Sequence, residues 1–297
     1  MAKIAVELEK AVAERRLGGG PGSAVARTLA VGAGWSVDDI ICTSGPQDRA
    51  FEEAHSTVSI AVVAAGTFQY RSTSGRELMS PGALLLGNPG HCFECGHEHG
   101  EGDRCVAFRF APEYFERIAS DAGTRTGKTP FRVPRLAAIR PLSPLVARAC
   151  RGVLAAGELD WEELAVGLAA QVLQLISGTR PRTITVEASS VARVTRAVRR
   201  IEQDAERSLT LSGLARESGL SPYHFLRVFE QVTGVTPHQY ILRTRLRLAA
   251  IRLAERQGRV LDVALDSGFG DVSNFNRTFR AEFGVSPKAY RGMATLA

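Results

Sequence analysis

The feature that most constrains this chain is a pattern that occurs twice in its last hundred residues. The first copy is Leu211-Ser-Gly-Leu-Ala215-Arg-Glu-Ser-Gly219-Leu-Ser221-Pro-Tyr-His-Phe225-Leu-Arg227-Val-Phe229. The second is Val260-Leu-Asp-Val-Ala264-Leu-Asp-Ser-Gly268-Phe-Gly-Asp-Val-Ser-Asn-Phe275-Asn-Arg277-Thr-Phe279. In both, Ala is followed four residues later by Gly, then by Phe, Arg and Phe at matching intervals. The Gly ends one helix where a left-handed backbone is cheapest without a Cβ. The small Ala lets a second helix cross closely over the first. Ser221 is placed to cap that second helix, with Pro222 at its first position. Each Phe pair is spaced by four, so both rings face a core, while Arg227 and Arg277 project from other faces. The pattern predicts two helix-turn-helix units. The competing reading is an all-α domain of helical hairpins with no DNA contact.

Between the copies, Pro237 to about Gln257 reads as one connecting helix of about 20 residues, hence about 30 Å long. That approaches the 34–36 Å over which a major groove returns to the same face of the duplex. Arg243, Arg245, Arg247 and Arg252 on it are candidate phosphate contacts, or else a solvated face. Charge agrees with a polyanion partner. From Ser190 onward there are 17 basic against 10 acidic residues, whereas the rest of the chain is almost neutral within an overall charge of +6. Such surfaces bind polyanions by counterion release.

Ahead of this domain the texture is different. Residues 2–17 read as an amphipathic helix, broken by Gly18-Gly19-Gly20-Pro21-Gly22. Short β-type runs follow at Val37–Cys42, Val58–Ala64, Thr67–Arg71, Ala83–Leu86, Cys92–Cys95 and Cys105–Phe110, separated by turn residues. That spacing predicts a small barrel or sandwich. Helices are expected over Ala111–Ala122, Pro141–Ala156 and Asp160–Ser177. In the last, Leu164, Leu168, Val172 and Leu175 form a stripe that is core or a dimer contact. Residues 178–189 read as a linker. The expected organisation is therefore an α+β chain of two domains. An arm covers 1–34, a sensor 35–177 with paired helices over 141–177, and a DNA-binding domain 190–297. No apolar run approaches the roughly 20 residues that span a bilayer, and the acidic N-terminus has no signal-peptide core, so a cytoplasmic protein is expected.

The five cysteines, Cys42, Cys92, Cys95, Cys105 and Cys150, do not suggest a disulfide framework in that setting. Three of them fall near a run of histidines, His91-Cys92-Phe-Glu-Cys95-Gly-His97-Glu-His99. If this run is extended, His91, Cys95, His97 and His99 share one side and Cys92 the other, unless Gly96 breaks the alternation. Cys95, His97, His99 and Cys105, with Cys92 in reserve, are candidate ligands for tetrahedral Zn²⁺ or another soft metal. Cys92 and Cys95 also form a Cys-x-x-Cys pair suited to a thiol redox switch. Buried structural cysteines with exposed histidines are the third reading.

Several independent motifs carry a family resemblance: Gly219-Leu-Ser-Pro-Tyr-His-Phe-Leu-Arg-Val-Phe229, Thr233-Gly-Val-Thr-Pro-His-Gln-Tyr240, Ser273-Asn-Phe-Asn-Arg-Thr-Phe-Arg280 and Phe283-Gly-Val-Ser-Pro-Lys-Ala-Tyr-Arg291. Over about 100 residues these resemble the AraC/XylS transcription regulators. The resemblance implies base-reading positions at Tyr223, Leu226 and Arg227 in the first unit. In the second it implies Val272, Ser273, Asn274 and Arg277. Arg can be bidentate to guanine and Asn to adenine, whereas Leu and Val meet only apolar features such as the thymine methyl. The preceding strands resemble the family's cupin-like sensor barrel, with Gly82-Ala-Leu-Leu-Leu-Gly-Asn-Pro89-Gly-His91 similar to a second cupin motif. No first motif with paired His and a Glu stands beside it, since His55 is the only nearby His.

The implied function is a regulator that binds double-stranded promoter DNA. It would activate through RNA polymerase, as a homodimer, under control of a small-molecule or metal effector and without catalysis or membrane contact. Against it stand a thiol-redox or methyl-accepting regulator, a cupin-type metalloenzyme with a DNA-binding module, and a constitutive DNA-bending protein.

Overall fold

A computed structural model describes residues 3–73, 75–124, 126–127, 129–154, 159–177, 186–255 and 258–296. The chain opens with helix α1 (Lys3–Gly18). Strands β1 (Ala24–Gly32), β2 (Trp35–Cys42), β3 (Phe51–Ala54), β4 (Val58–Gly66), β5 (Phe68–Ser72), β6 (Gly75–Met79), β7 (Leu84–Gly87), β8 (Cys92–Gly96) and β9 (Asp103–Phe110) follow. After α2 (Pro112–Asp121) come a short strand β10 (Arg135–Leu136) and the helices α3 (Ser143–Leu154) and α4 (Trp161–Ile176). The helical remainder comprises α5 (Ala188–Asp204), α6 (Leu211–Glu217), α7 (Pro222–Thr233), α8 (Pro237–Ala254), α9 (Val260–Asp266), α10 (Val272–Phe283) and α11 (Pro287–Leu296).

The strands form two sheets, ordered β1-β2-β9-β4-β7-β10 and β3-β8-β5-β6. β4 shows why they pack as they do. Val58, Ile60, Val62 and Ala64 face α3 and α4 within one core. The alternate residues Ala61 and Val63 face Phe68, Tyr70, Met79 and Cys95 of the smaller sheet. A strand buried on both faces needs a nearly continuous apolar run, and Val58–Gly66 supplies one broken only by Ser59. The result is the sensor barrel that the sequence predicts, extended by β1.

β1 lies in the stretch assigned to the N-terminal arm, and it pairs along its length with β2. Its residues are mostly exposed, so the apolar alternation that betrays a half-buried strand is missing. On the α4 stripe, Leu164, Leu168 and Val172 are buried in the core of the same chain, while Leu175 at its end is half-buried. Residues 178–185 of the expected linker lie outside the described residues.

The helices from α5 onward divide into two clusters that share α8. Phe225, Phe229, Tyr240 and Ile241 belong to the first, with α5 and α6. Leu246, Ala249, Leu253, Phe275 and Phe279 belong to the second, with α9 and α11. At 18 residues, α8 ends three residues before the expected Gln257 and is about 27 Å long. The sensor half places buried apolar side chains in both clusters: Leu78 of β6 in the first, with Ala137 and Ile139 packed against it, and Ala147 of α3 in the second.

Candidate nucleic-acid interface and effector site

Each helix-turn-helix unit is built by the local chemistry that the repeat encodes. Gly219 and Gly268 have φ of 65° and 85°, so both turns use the left-handed region reserved in practice for glycine. At Gly268 a Cβ would also lie 2.8 Å from the carbonyl of Glu206. The Ser221 hydroxyl caps α7 by accepting from His224 N–H at 3.3 Å. At α10 the cap is Asp271, whose carboxylate accepts from Asn274 N–H at 2.7 Å. In each unit the paired Phe rings are fully buried, with centroids 5.5 and 5.4 Å apart.

The faces left outside carry most of the expected base readers. Tyr223 is 70% exposed, and the Arg227 guanidinium sits 5.9 Å from its ring centroid. Leu226 is half-buried between surface and core. In the second unit Ser273, Asn274 and Arg277 are exposed, with Arg277 donating to Asn274 Oδ1 at 3.2 Å. Val272 packs partly against the second core, so only part of its surface faces outward.

The four arginines of α8 are spent inside the molecule. Arg243 donates to Ala138 O (3.0 Å) and Arg245 to Ala205 O (2.7 Å). Arg247 holds Glu202 (2.8 Å) and Arg252 donates to Asp266 O (2.6 Å). Arg247 is buried and so is neither a phosphate contact nor part of a solvated face, whereas Arg243, Arg245 and Arg252 are half-buried and keep part of their surface outside. α8 is buried on several sides, so its long side chains reach neighbouring backbone and carboxylate groups.

The thiol–imidazole cluster also assembles differently. β8 ends at Gly96, and residues 97–100 turn back, with Gly100 N–H donating to His97 O. The alternation that would align Cys95, His97 and His99 stops there. Among the described residues the trio that comes together is Cys42, His97 and Asp103. His97 Nε2 lies 2.7 Å from Asp103 Oδ1. Burial alone would suppress the imidazolium, but the hydrogen bonds and charges of Asp103 and Cys42 outweigh it and push His97 up to about 9. Cys105 donates to Asp103 Oδ2, and burial drives both Cys95 and Cys105 far above an ordinary thiol. They behave as apolar core residues beside a buried ion pair.

His99 is outside the trio, and the reserve ligand Cys92 is exposed. The Cys-x-x-Cys pair cannot close as a disulfide. Three residues along an extended strand separate Cys92 from Cys95 by about 10 Å, beyond the roughly 7 Å that a disulfide spans. At the far end of the barrel, His55 bonds Tyr70 (3.0 Å) and stacks on Phe93 (centroids 4.2 Å apart). Its burial, aided by Arg109 and His91, lowers it to about 4.

A cleft that sequence reasoning missed lies between the two halves. It has a volume of about 540 Å³ and is walled by α1, the β4–β5 turn, the 98–101 turn and α5. Thr67, His99 and Arg199 meet there from three distant stretches, so no sequence spacing announces them.

Residues 214–293 match the family model "Helix-turn-helix domain", and residues 40–173 match "AraC-like ligand binding domain". The regulatory protein SoxS of Salmonella typhimurium is 35% identical over 91 residues, covering 31% of this chain and 85% of SoxS. The chain belongs to the AraC family. The probable transcriptional regulator LumQ of Photobacterium leiognathi is 38% identical over 91 residues, 31% of this chain but only 37% of LumQ. Among solved structures, an apo ToxT variant of Vibrio cholerae is 14% identical with a TM-score of 0.37, covering 89% of this chain and 98% of ToxT. As an AraC-family member, the protein is a DNA-binding transcription regulator with an N-terminal ligand-binding domain. Among its described residues no helix is long and apolar enough to cross a membrane.

Proposed function

We propose that the protein is a cytoplasmic, non-catalytic transcription activator whose N-terminal half senses a small-molecule effector and transmits its state to two recognition helices. The single observation that carries this reading is the seating of both helix-turn-helix cores on the sensor. Leu78 and Ala147 enter one core each. Polar contacts fix the same junctions: Arg135 donates to Thr233 O at the end of α7, and Ser143 to Glu282 on α10. A shift of β6 or α3 on effector binding therefore changes how the two units sit relative to each other. Such coupling needs differential contacts in two states, and these junctions are where they would differ.

In this reading Tyr223, Leu226 and Arg227 read one major groove, and Val272, Ser273, Asn274 and Arg277 the next, on double-stranded promoter DNA. RNA polymerase is the downstream partner. Residues 35–177, with β1 added, form the sensor, and 190–297 the DNA-binding domain. A homodimer through residues 141–177 would have to use the half-buried end of the α4 stripe at Leu175 or the outer faces of α3 and α4, because Leu164, Leu168 and Val172 are core. The test is promoter binding and reporter output in the full chain: Arg227→Ala should lose both, while Leu78→Ala should alter effector-dependent output and leave specific DNA binding in place. Unchanged binding by Arg227→Ala would sink the base-reading assignment.

A second reading, control by Zn²⁺ or another soft metal, is favoured by the grouping of Cys42, His97 and Asp103. It supplies three donors where a structural zinc takes four. Metal analysis after exposure to zinc under reducing conditions tests it, and a stoichiometric ion lost on Cys42→Ala would raise it above the organic effector.

A further inference from the structure

The interdomain cleft contains buried polar atoms that have no hydrogen-bond partner among the described residues. Thr67 is 2% exposed, yet its hydroxyl has no hydrogen-bond partner, and neither has His99 Nε2. Buried polar atoms are almost always satisfied, so orphans such as these lining one cleft call for an occupant. Arg199 reaches the same point from α5. Among the described residues it makes two long hydrogen bonds, each 3.4 Å, to the carbonyls of His99 and Glu101. Among the described residues no carboxylate lies within ion-pair distance of it. Gly100 makes the approach possible, because a Cβ there would run into Arg199 Nη1 and lie 3.2 Å from Thr67 Oγ1. The guanidinium and the orphan hydroxyl thus converge over one glycine.

The other charges around the cleft are already neutralised. Glu98 is held by Arg71 and Arg76, Glu101 by Arg16, and Glu202 by Arg247. Glu9 is exposed on α1. Arg199 remains a half-buried cation: burial disfavours its charge, the more distant Glu101 carboxylate offsets this only in part, and among the described residues no carboxylate is in ion-pair contact with it. The opposite wall is apolar, formed by Ile4, Leu8 and Val12 of α1 with Ala64 and Ala65 of β4. The volume falls within the 300–1,000 Å³ of ordinary small-molecule sites.

We propose that this cleft is the effector site, and that it takes an organic carboxylate with a compact apolar body. The carboxylate pairs with Arg199 and accepts from the Thr67 hydroxyl, with His99 at its edge. The apolar body lies along α1. This deepens the regulator reading and rests on it. Because Arg199 belongs to α5, the first helix packed on the Phe225–Phe229 cluster, the bound anion ties the sensor directly to the first helix-turn-helix unit.

The test uses full-length protein without DNA and three probe sets matched in body: octanoate, 2-naphthoate and cyclohexanecarboxylate, each against its alcohol and its amine. Binding is read by calorimetry and by thermal shift. At least one carboxylate should bind ten-fold or more tightly than its alcohol, with the amine weakest. Arg199→Met should abolish that preference while leaving alcohol binding within two-fold, Arg199→Lys should restore part of it, and Thr67→Val should weaken the carboxylate alone. Circular dichroism confirms that the variants fold. The proposal is overturned if no carboxylate outbinds its alcohol, or if Arg199→Met keeps the preference. DNA binding, measured separately, tells whether the regulator reading survives either result.

Discussion

Replacing Arg104 with Met tests how the sensor holds the wall of its cleft. Arg104 is completely buried and grips Asp39 through two bonds of 2.8 Å, Nε to Oδ1 and Nη2 to Oδ2. It also donates to Ile4 O at 3.1 Å and pairs with Glu7 at 2.6 Å, so it anchors α1 to the sheet. Met keeps most of the volume but leaves Asp39 buried with only Arg27 nearby. Removing one partner of a buried pair costs about 3–5 kcal/mol, a large share of a typical total of 5–15 kcal/mol.

The pH dependence gives this prediction its sharper edge. Burial pushes Asp39 upward, but Arg104 and Arg27 together hold it below the usual carboxylate range. Its ionised form therefore stabilises the native protein above about pH 4, and that contribution is lost as pH falls through the lowered native value. In Arg104→Met the burial persists and the main counter-charge is gone, so Asp39 moves up. The variant then gains stability relative to wild type as pH falls from 7 to 5. Both tryptophans, Trp35 and Trp161, lie in the sensor, so their fluorescence follows unfolding of that half alone. In urea at pH 7 the midpoint should fall by more than about 1 M, given slopes of roughly 1–3 kcal/mol/M. At pH 5 the gap should narrow, and Asp39→Asn combined with Arg104→Met should recover part of it. A loss below about 1 kcal/mol at pH 7, or a loss equal at both pH values, would refute the reasoning.

Three further outcomes follow from other parts of the molecule. His55, lowered to about 4 in the native state, binds fewer protons than the unfolded chain between pH 4 and 6.5, so stability should fall as pH drops through that window. His55→Gln should flatten the slope in urea titrations, and an unchanged slope would count against it. Gly268→Ala should destabilise the second helix-turn-helix unit more than Gly284→Ala, by about 1–2 kcal/mol, measured by thermal melting. Both have positive φ, but a Cβ meets the Glu206 backbone at Gly268 and open space at Gly284; equal costs would contradict the steric argument. Arg227→Ala should lose about 1–3 kcal/mol of specific DNA binding and relax preference at one base pair, read by competition with substituted sites.

What the sequence makes legible is set by how local the physics is. The two helix-turn-helix units are legible because each turn needs its own Gly and each core its own Phe pair within twenty residues. Val58–Gly66 is legible because a doubly buried strand must be apolar along almost all of its length, here all but Ser59. β1 is hidden because an exposed edge strand carries no apolar alternation, and β6 because Gly75-Arg76-Glu77 reads as a turn. The arginines of α8 show the limit of reading charge. Their partners are carbonyls and carboxylates brought in from elsewhere in the chain, which no count of basic residues foresees. The histidine run is not gathered into one group for a similar reason. Gly96 ended the strand, and Cys42 and Asp103 arrived from other strands. Thr67, His99 and Arg199 are remote in sequence, and only the fold reveals that they share a cleft.

The central claim is that two recognition helices, held on one sensor, read two successive stretches of duplex. Selection of binding sites from random double-stranded DNA by the full-length protein tests it most directly. The account predicts an enriched site with two conserved blocks centred about 10–10.5 base pairs apart. Arg227→Ala should erase preference in one block and Arg277→Ala in the other. Enrichment of no sequence, or of a single block indifferent to both substitutions, would contradict it.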